Sequence, residues 1–140
     1  MNHNENIAYL AGIIDGEGSI GIEHLSPTKN RRKDYYVCRL TVINTYEPLM
    51  KRLVSTFKGQ YDTRKRIEGR RICYRWHVFG EDLEKALQMI LPYLDEKLPQ
   101  AKKLLEYRAT VRKTGWLVSD EILETRKQLW LSCKKLNSHE

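Results

Sequence analysis

At 140 residues the chain is long enough for one compact domain that buries its own core without disulfide staples. Hydrophobic residues make up 41% and charged residues 31%, a balance that excludes a disordered or fibrous chain. Twenty-five Lys and Arg against eighteen Asp and Glu give a formal charge of +7, which favours a polyanionic partner if the charge is organised on one face.

Every apolar run is broken by charge well short of the roughly 18–20 residues that span a bilayer, so no membrane partner is expected. The polar opening, Met1 to Asn6, lacks the charged-then-apolar pattern of a secretory signal, and an intracellular protein is expected. Cys38, Cys73 and Cys133 form no CxxC pair, and the four histidines show no HxH or HExxH spacing. Zinc and disulfides are therefore not expected, and the cysteines should be reduced.

In chain order, the spacing first predicts a helix over 6–15, where Ile7, Ala8, Leu10, Ala11, Ile13 and Ile14 are apolar or small, ended by Gly16 and Gly18. The period then switches from 3.6 to 2. Strands are predicted over 19–25 and 35–43, joined by a polar loop over 26–34. Residues 46–57 place Leu49, Leu53 and Phe57 at i, i+4 and i+8 with Pro48 in the first turn, the mark of an amphipathic helix. A weaker strand over 60–66, a turn over 67–70 and a strand over 71–78 follow. In the last, Ile72, Tyr74, Trp76 and Val78 alternate with Arg71, Cys73, Arg75 and His77.

Helices are predicted over 81–91, from Pro99 to about 112, and from the capping residue Ser119 to about 136. The order α-β-β-α-β-β-α-α-α implies a single α+β domain over 1–140, with antiparallel hairpins and helices on one face.

On the polar face of the strands the charges lean to one sign: Arg39, Lys65, Arg71 and Arg75, with Lys29, Arg31, Arg32, Lys33, Arg66 and Arg70 at the hairpin tips. Ser19, Gly21, Glu23, Thr41, Cys73 and His77 share that face. A ten-residue strand spans about 33 Å, close to the roughly 34 Å of one B-DNA turn. A two-stranded ribbon also fits the major groove, about 12 Å wide, where Glu23 could accept from a cytosine amino group. Double-stranded DNA is the expected partner; a merely solvated basic face is the alternative.

The segment Leu10-Ala11-Gly12-Ile13-Ile14-Asp15-Gly16-Glu17-Gly18 resembles the signature of the LAGLIDADG homing endonucleases, and the likeness extends over nearly the whole chain. The resemblance implies their fold: an αββαββα core with C-terminal helices and an antiparallel, saddle-shaped DNA-binding sheet. Independently, Ala8, Gly12 and Gly16 recur at i, i+4 and i+8, a side-chain-poor stripe that permits close helix–helix approach, within the chain or between chains. With a single motif, the resemblance implies a homodimer meeting through Ala8, Ala11, Gly12 and Asp15. Asp15 is expected to cap or buttress the helix pair.

The same resemblance gives Glu17, with the Gly16 carbonyl, the role of holding Mg²⁺, with Mn²⁺ as a substitute and no small-molecule cofactor. Glu17 could otherwise be a helix-end surface carboxylate. Residues 41–45 look like the family segment carrying a polar catalytic residue, which nominates Asn44; a strand-ending turn residue is the alternative. Residues 91–101 are similar to the stretch carrying an active-site lysine, which nominates Lys97 against an ordinary exposed helix-end lysine. Pro48 stands where some relatives carry a further basic residue, and Lys51 or Arg52 could substitute.

The implied activity is a metal-dependent double-strand cut in a long, roughly palindromic site of about 20 base pairs. It would cross the minor groove and leave short 3′ overhangs. An RNA maturase or a nuclease-inactive DNA-binding regulator on the same scaffold are the other readings. An intron-encoded or a free-standing gene fits, and bacterial, phage, archaeal and organellar origins fit equally, so the expected compartment is a bacterial or archaeal cytoplasm or an organelle.

Overall fold

Asn2 opens the first helix with a reciprocal cap: its side chain accepts from the Glu5 N–H, and the Glu5 carboxylate accepts from the Asn2 N–H. Helix α1 therefore runs His3–Glu17, starting earlier than the apolar spacing predicts, and it carries on through Gly16. Gly18 ends it. A Cβ there would lie 2.8 Å from the Ile14 carbonyl oxygen, so only glycine lets the chain turn directly into strand β1 (Gly18–Leu25).

The computed structural model describes residues 1–29, 34–64, 71–114 and 118–138, without the side chains of 112–114. Beyond β1 come β2 (Tyr35–Asn44), α2 (Glu47–Phe57), β3 (Gln60–Thr63), β4 (Tyr74–Val78), α3 (Gly80–Ile90), a 3₁₀ turn (Leu91–Tyr93), α4 (Leu98–Thr114) and α5 (Asp120–Asn137). This is the order that the sequence predicts. Ser119 caps α5 by accepting from the Ile122 N–H at 3.2 Å. Strand β4 is shorter than its alternation suggests, because its partner β2 ends at Asn44, opposite Tyr74. Arg71 and Cys73 lie ahead of the strand.

The four strands form one antiparallel sheet in the order β1-β2-β4-β3. Ile20, Leu40, Val42 and Trp76 share its inner face, with Val78, and are covered by Leu10 and Ile14 of α1, Met50 and Leu53 of α2, and Leu83, Leu87 and Ile90 of α3. Helices α4 and α5 extend this core beside β1, contributing Leu104, Leu129 and Cys133. The Tyr107 hydroxyl of α4 donates to the Tyr36 carbonyl at 3.1 Å, fixing α4 to β2. Among the described residues no helix is long and apolar enough to cross a membrane. The sheet's other face carries the odd-numbered residues of β1, β2 and β4 and the even-numbered Gln60 and Asp62 of β3, and no helix among the described residues adds side chains to the core on that side.

Candidate active site

Three segments meet at the C-terminal end of α1. Glu17 is the helix's last residue rather than lying past its end, and its side chain is exposed. The β1–β2 register sets Gly18 opposite Val42, which carries Asn44, two residues further, alongside Glu17. Asn44 Nδ2 donates to Glu17 Oε2 at 3.1 Å. Asn44 Oδ1 in turn accepts from the Tyr46 main-chain N–H at 2.9 Å, so the turn into α2 decides which end of the amide faces the carboxylate.

The third segment is the turn before α4. Asp15 accepts there from three successive main-chain N–H groups: Asp95 at 3.3 Å, Glu96 at 3.2 Å and Lys97 at 2.9 Å. Partial burial pushes the Asp15 carboxyl upward, but those amides and the Lys97 ammonium outweigh it and hold the group below the usual aspartate value. Lys97 Nζ donates to the Asp15 main-chain oxygen at 2.6 Å. At 6% exposure Lys97 is not an ordinary surface lysine. Buried lysine is rare unless it has partners; here α1 supplies them.

Glu17 and Lys97 line one open groove of about 660 Å³, together with Gly16, Glu96 and the start of the outer sheet face. Among the described residues no three His, Cys, Asp or Glu side chains cluster to complete a metal site. The acidic side chains that line the groove are Glu17, Glu23 and Glu96, all exposed, and Glu23 is paired with Arg39. That sparse, all-oxygen set suits Mg²⁺, which keeps several waters and takes further oxygens from phosphate.

The extra basic residue expected from α2 does not reach this groove. Arg52 Nε donates to Asn6 Oδ1 at 2.6 Å and its guanidinium lies 4.3 Å from the Tyr9 ring centroid. Tyr9 sits eight residues before Glu17, about 12 Å along the helix. Lys51 is exposed on the same helix.

Along the outer sheet face the register builds rows: Gly21 beside Arg39; Ser19, Thr41, His77 and Gln60; then Ile43, Arg75 and Asp62. Glu23 is exposed on the same face. Arg39 is ion-paired with Glu23, and Arg75 Nη2 lies 3.6 Å from Asp62 Oδ2, so both described strand arginines already face a carboxylate. His77 belongs to this face by register but is only 9% exposed, covered by the Gln60 amide at 3.1 Å and the Phe79 ring. Arg71 and Lys29 are exposed and Cys73 is half-buried. Arg31, Arg32, Lys33, Lys65, Arg66 and Arg70 lie outside the described residues.

On α1, the side-chain-poor stripe faces outward: Gly12 and Gly16 are exposed, and a Cβ on either would meet nothing within 4 Å. Ala8 is half-buried beside them. Ala11 does not join the stripe. It is fully buried, because it continues the Ile7–Ile14 line of the inward helix face at i+4 and i+7. Asp15 likewise turns its carboxylate to the 95–97 turn of its own chain. Tyr9, 44% exposed and three residues before Gly12, shares the outward face, where its aromatic ring departs from the small-residue spacing. Asn137, at the end of α5, also reaches the groove, and no local sequence pattern marks it.

The fold has counterparts among solved structures. The homing endonuclease I-CvuI, in complex with the I-CreI target, matches with a TM-score of 0.81 at 25% identity, over 99% of this chain and 86% of that one. The archaeal intron-encoded homing endonuclease I-Vdi141I complexed with DNA matches with a TM-score of 0.80 at 12% identity, over 96% and 86%. The LAGLIDADG homing endonuclease I-SmaMI bound to cleaved DNA matches at 0.73 and 15%, over 92% of this chain and 44% of its own. No curated protein sequence matches. The sequence model described as LAGLIDADG endonuclease matches residues 10–112, from the motif of α1 to the late turns of α4, and the chain belongs to that family.

Proposed function

We propose that the protein is a site-specific DNA endonuclease of the homing type, cutting both strands of a long, roughly palindromic target as a homodimer. One observation carries this reading: Glu17 and Lys97, from separate segments, line one groove with outer-face residues of β1 and β2, and Asn44 from a third segment holds the Glu17 carboxylate. Relatives of the same fold are solved in complex with DNA, I-CvuI with the I-CreI target in the presence of Mg, the DNA not cleaved, and with its own target in the presence of Ca.

In this reading the sheet lies in the major groove, with Ser19, Glu23, Arg39, Thr41, Arg71 and Arg75 toward the bases or phosphates. The outward stripe of α1, with Ala8, Gly12 and Gly16, meets its copy in a second chain and brings two Glu17 carboxylates together. Glu17 and the Gly16 carbonyl hold Mg²⁺. When bound, the cation would supply charge neutralisation at the phosphodiester and a water more easily deprotonated near neutral pH. Asn44 keeps one Glu17 oxygen engaged and so orients the carboxylate. Lys97 holds a positive charge fixed beside the groove, where it stabilises charge that develops on the phosphate.

Retention of the carboxylate and of a buried, oriented lysine favours cutting over a binding-only role such as a regulator. Selection of cleaved molecules from a randomised duplex pool, with and without Mg²⁺, tests the proposal. A partly symmetric consensus recovered only with the cation is expected; no cleaved product under any divalent cation would overturn it.

A further inference from the structure

Gly21 lies on the outer sheet face, four residues beyond Glu17, and offers no side chain to that face. Its place is nonetheless filled. A Cβ on Gly21 would lie 3.2 Å from Asn137 Nδ2, closer than a comfortable van der Waals contact. Asn137 is the last residue of α5, is exposed, and lines the groove that holds Glu17 and Lys97. It arrives at the sheet's edge strand β1 from the α4–α5 layer packed beside it.

Two bonds hold its amide. Nδ2 donates to the Ile20 main-chain oxygen at 3.2 Å, and Oδ1 accepts from Gln100 Nε2 at 3.1 Å. Gln100 is itself buried on α4, the helix whose opening turn Asp15 fixes. A side chain at a helix end normally rotates freely; this one is tied to a strand and to a second helix.

An asparagine amide has two N–H donors and two acceptor lone pairs. Asn137 spends one of each inside the chain. One N–H and one lone pair remain, and a donor and an acceptor offered together by one amide complement the N7 acceptor and N6 amino donor of adenine in the major groove.

We propose that Asn137 is a specificity-determining residue that stands in for the side chain Gly21 lacks and reads one adenine per half-site. Four residues of strand separate Gly21 from Glu17, about 13 Å, so the position read lies about four base pairs from the cut at 3.4 Å per step. This inference rests on the DNA-cutting reading above.

The test compares target profiles of the wild type, Asn137→Ala and Gly21→Ala, from cleaved duplexes of a randomised pool with Mg²⁺. The wild type should specify adenine at one position per half-site. Asn137→Ala should lose that preference by about tenfold or more and leave the rest of the profile unchanged. Gly21→Ala, which pushes on the amide, should alter preference at the same position. A profile for Asn137→Ala that superimposes on the wild type overturns the proposal. So does an even loss at all positions with a lowered melting temperature, which marks a scaffold role. If the wild type cuts nothing, the cutting reading fails by itself, and sequences selected by binding alone give the Asn137 profile instead. A bound set with no adenine dependent on Asn137, or no bound set, overturns the inference as well.

Discussion

Asn44 holds its amide N–H toward the Glu17 carboxylate while its oxygen takes the N–H of Tyr46, so one side chain connects the end of β2, the start of α2 and the end of α1. The orientation is set by backbone, not by solvent. A carboxylate held in this way presents its second oxygen to the groove in one pose, which is what a ligand for a hard cation requires.

Glu17→Gln keeps the shape of the side chain and removes its charge. Cleavage should fall below detection while affinity for the selected target stays within about tenfold, since phosphate contacts dominate binding. The measurement is single-turnover cleavage beside filter binding, and undiminished cutting by the variant would remove Glu17 from the mechanism.

Two substitutions at Asn44 separate a catalytic from a turn-forming role. Asn44→Asp keeps the oxygen that accepts from Tyr46 but has no donor for Glu17, and it sets two carboxylates within hydrogen-bond distance. Both Asn44→Asp and Asn44→Ala should lower kcat by about ten- to a hundredfold with KM changed little. Wild-type cutting by Asn44→Asp would leave only the turn role.

Asp15 gives a pH signature. Its folded-state carboxyl titrates below the ordinary value of about 4. The stabilisation is therefore complete above that ordinary value and is lost as pH falls through the lower, folded one. Asp15→Ala should cost about 1–2 kcal/mol at pH 7. It should also flatten the fall in stability on the acid side, as read by urea melts from pH 7 to 3. A variant that keeps the wild-type acid slope would assign that slope to other carboxylates.

What could be read ahead of the structure follows from how local each signal is. The strand alternation around Trp76 and the i, i+4, i+8 line of Leu49, Leu53 and Phe57 are short-range patterns; α2 stands where its line predicts, and β4 forms around Trp76 but starts only at Tyr74. The motif around Glu17, with the segments around Asn44 and Lys97, pointed to residues that the fold does bring together. Burial of Ala11 and Lys97 was not legible, because it depends on which face of α1 meets α3 and the 95–97 turn. The pairing of Arg39 with Glu23 needed the strand register, and Asn137 needed the whole course of α5. A start at His3 was missed because the cap is an asparagine set before polar residues.

Burial pushes the Cys38 thiol up to about 12 and the Cys133 thiol up to about 11, so both stay protonated and closed to electrophiles at neutral pH. Cys73 is half-buried. A disulfide reagent such as DTNB should titrate Cys73 first in the native protein and reach Cys38 and Cys133 only after denaturation. Fast reaction of all three thiols would show that the α4–α5 layer opens readily.

Arg75 can be weighed against its partner. Arg75→Ala should lose about 1–3 kcal/mol of target binding and relax preference at one position per half-site. Asp62→Asn, which releases Arg75, should tighten binding to duplexes in general while narrowing the gap between the best target and its variants. A competition assay reads both, and no change in either variant would remove Arg75 from recognition.

Because Arg39 leans on Glu23 and Arg75 on Asp62, the exposed sheet is not a sticky cationic plate. Arg39 meets its acid through Nε and Arg75 through Nη2, so each guanidinium keeps further N–H donors while its charge is partly offset. On the proposed function, a duplex would compete with Glu23 and Asp62 for that charge, which favours a site of correct geometry over raw attraction.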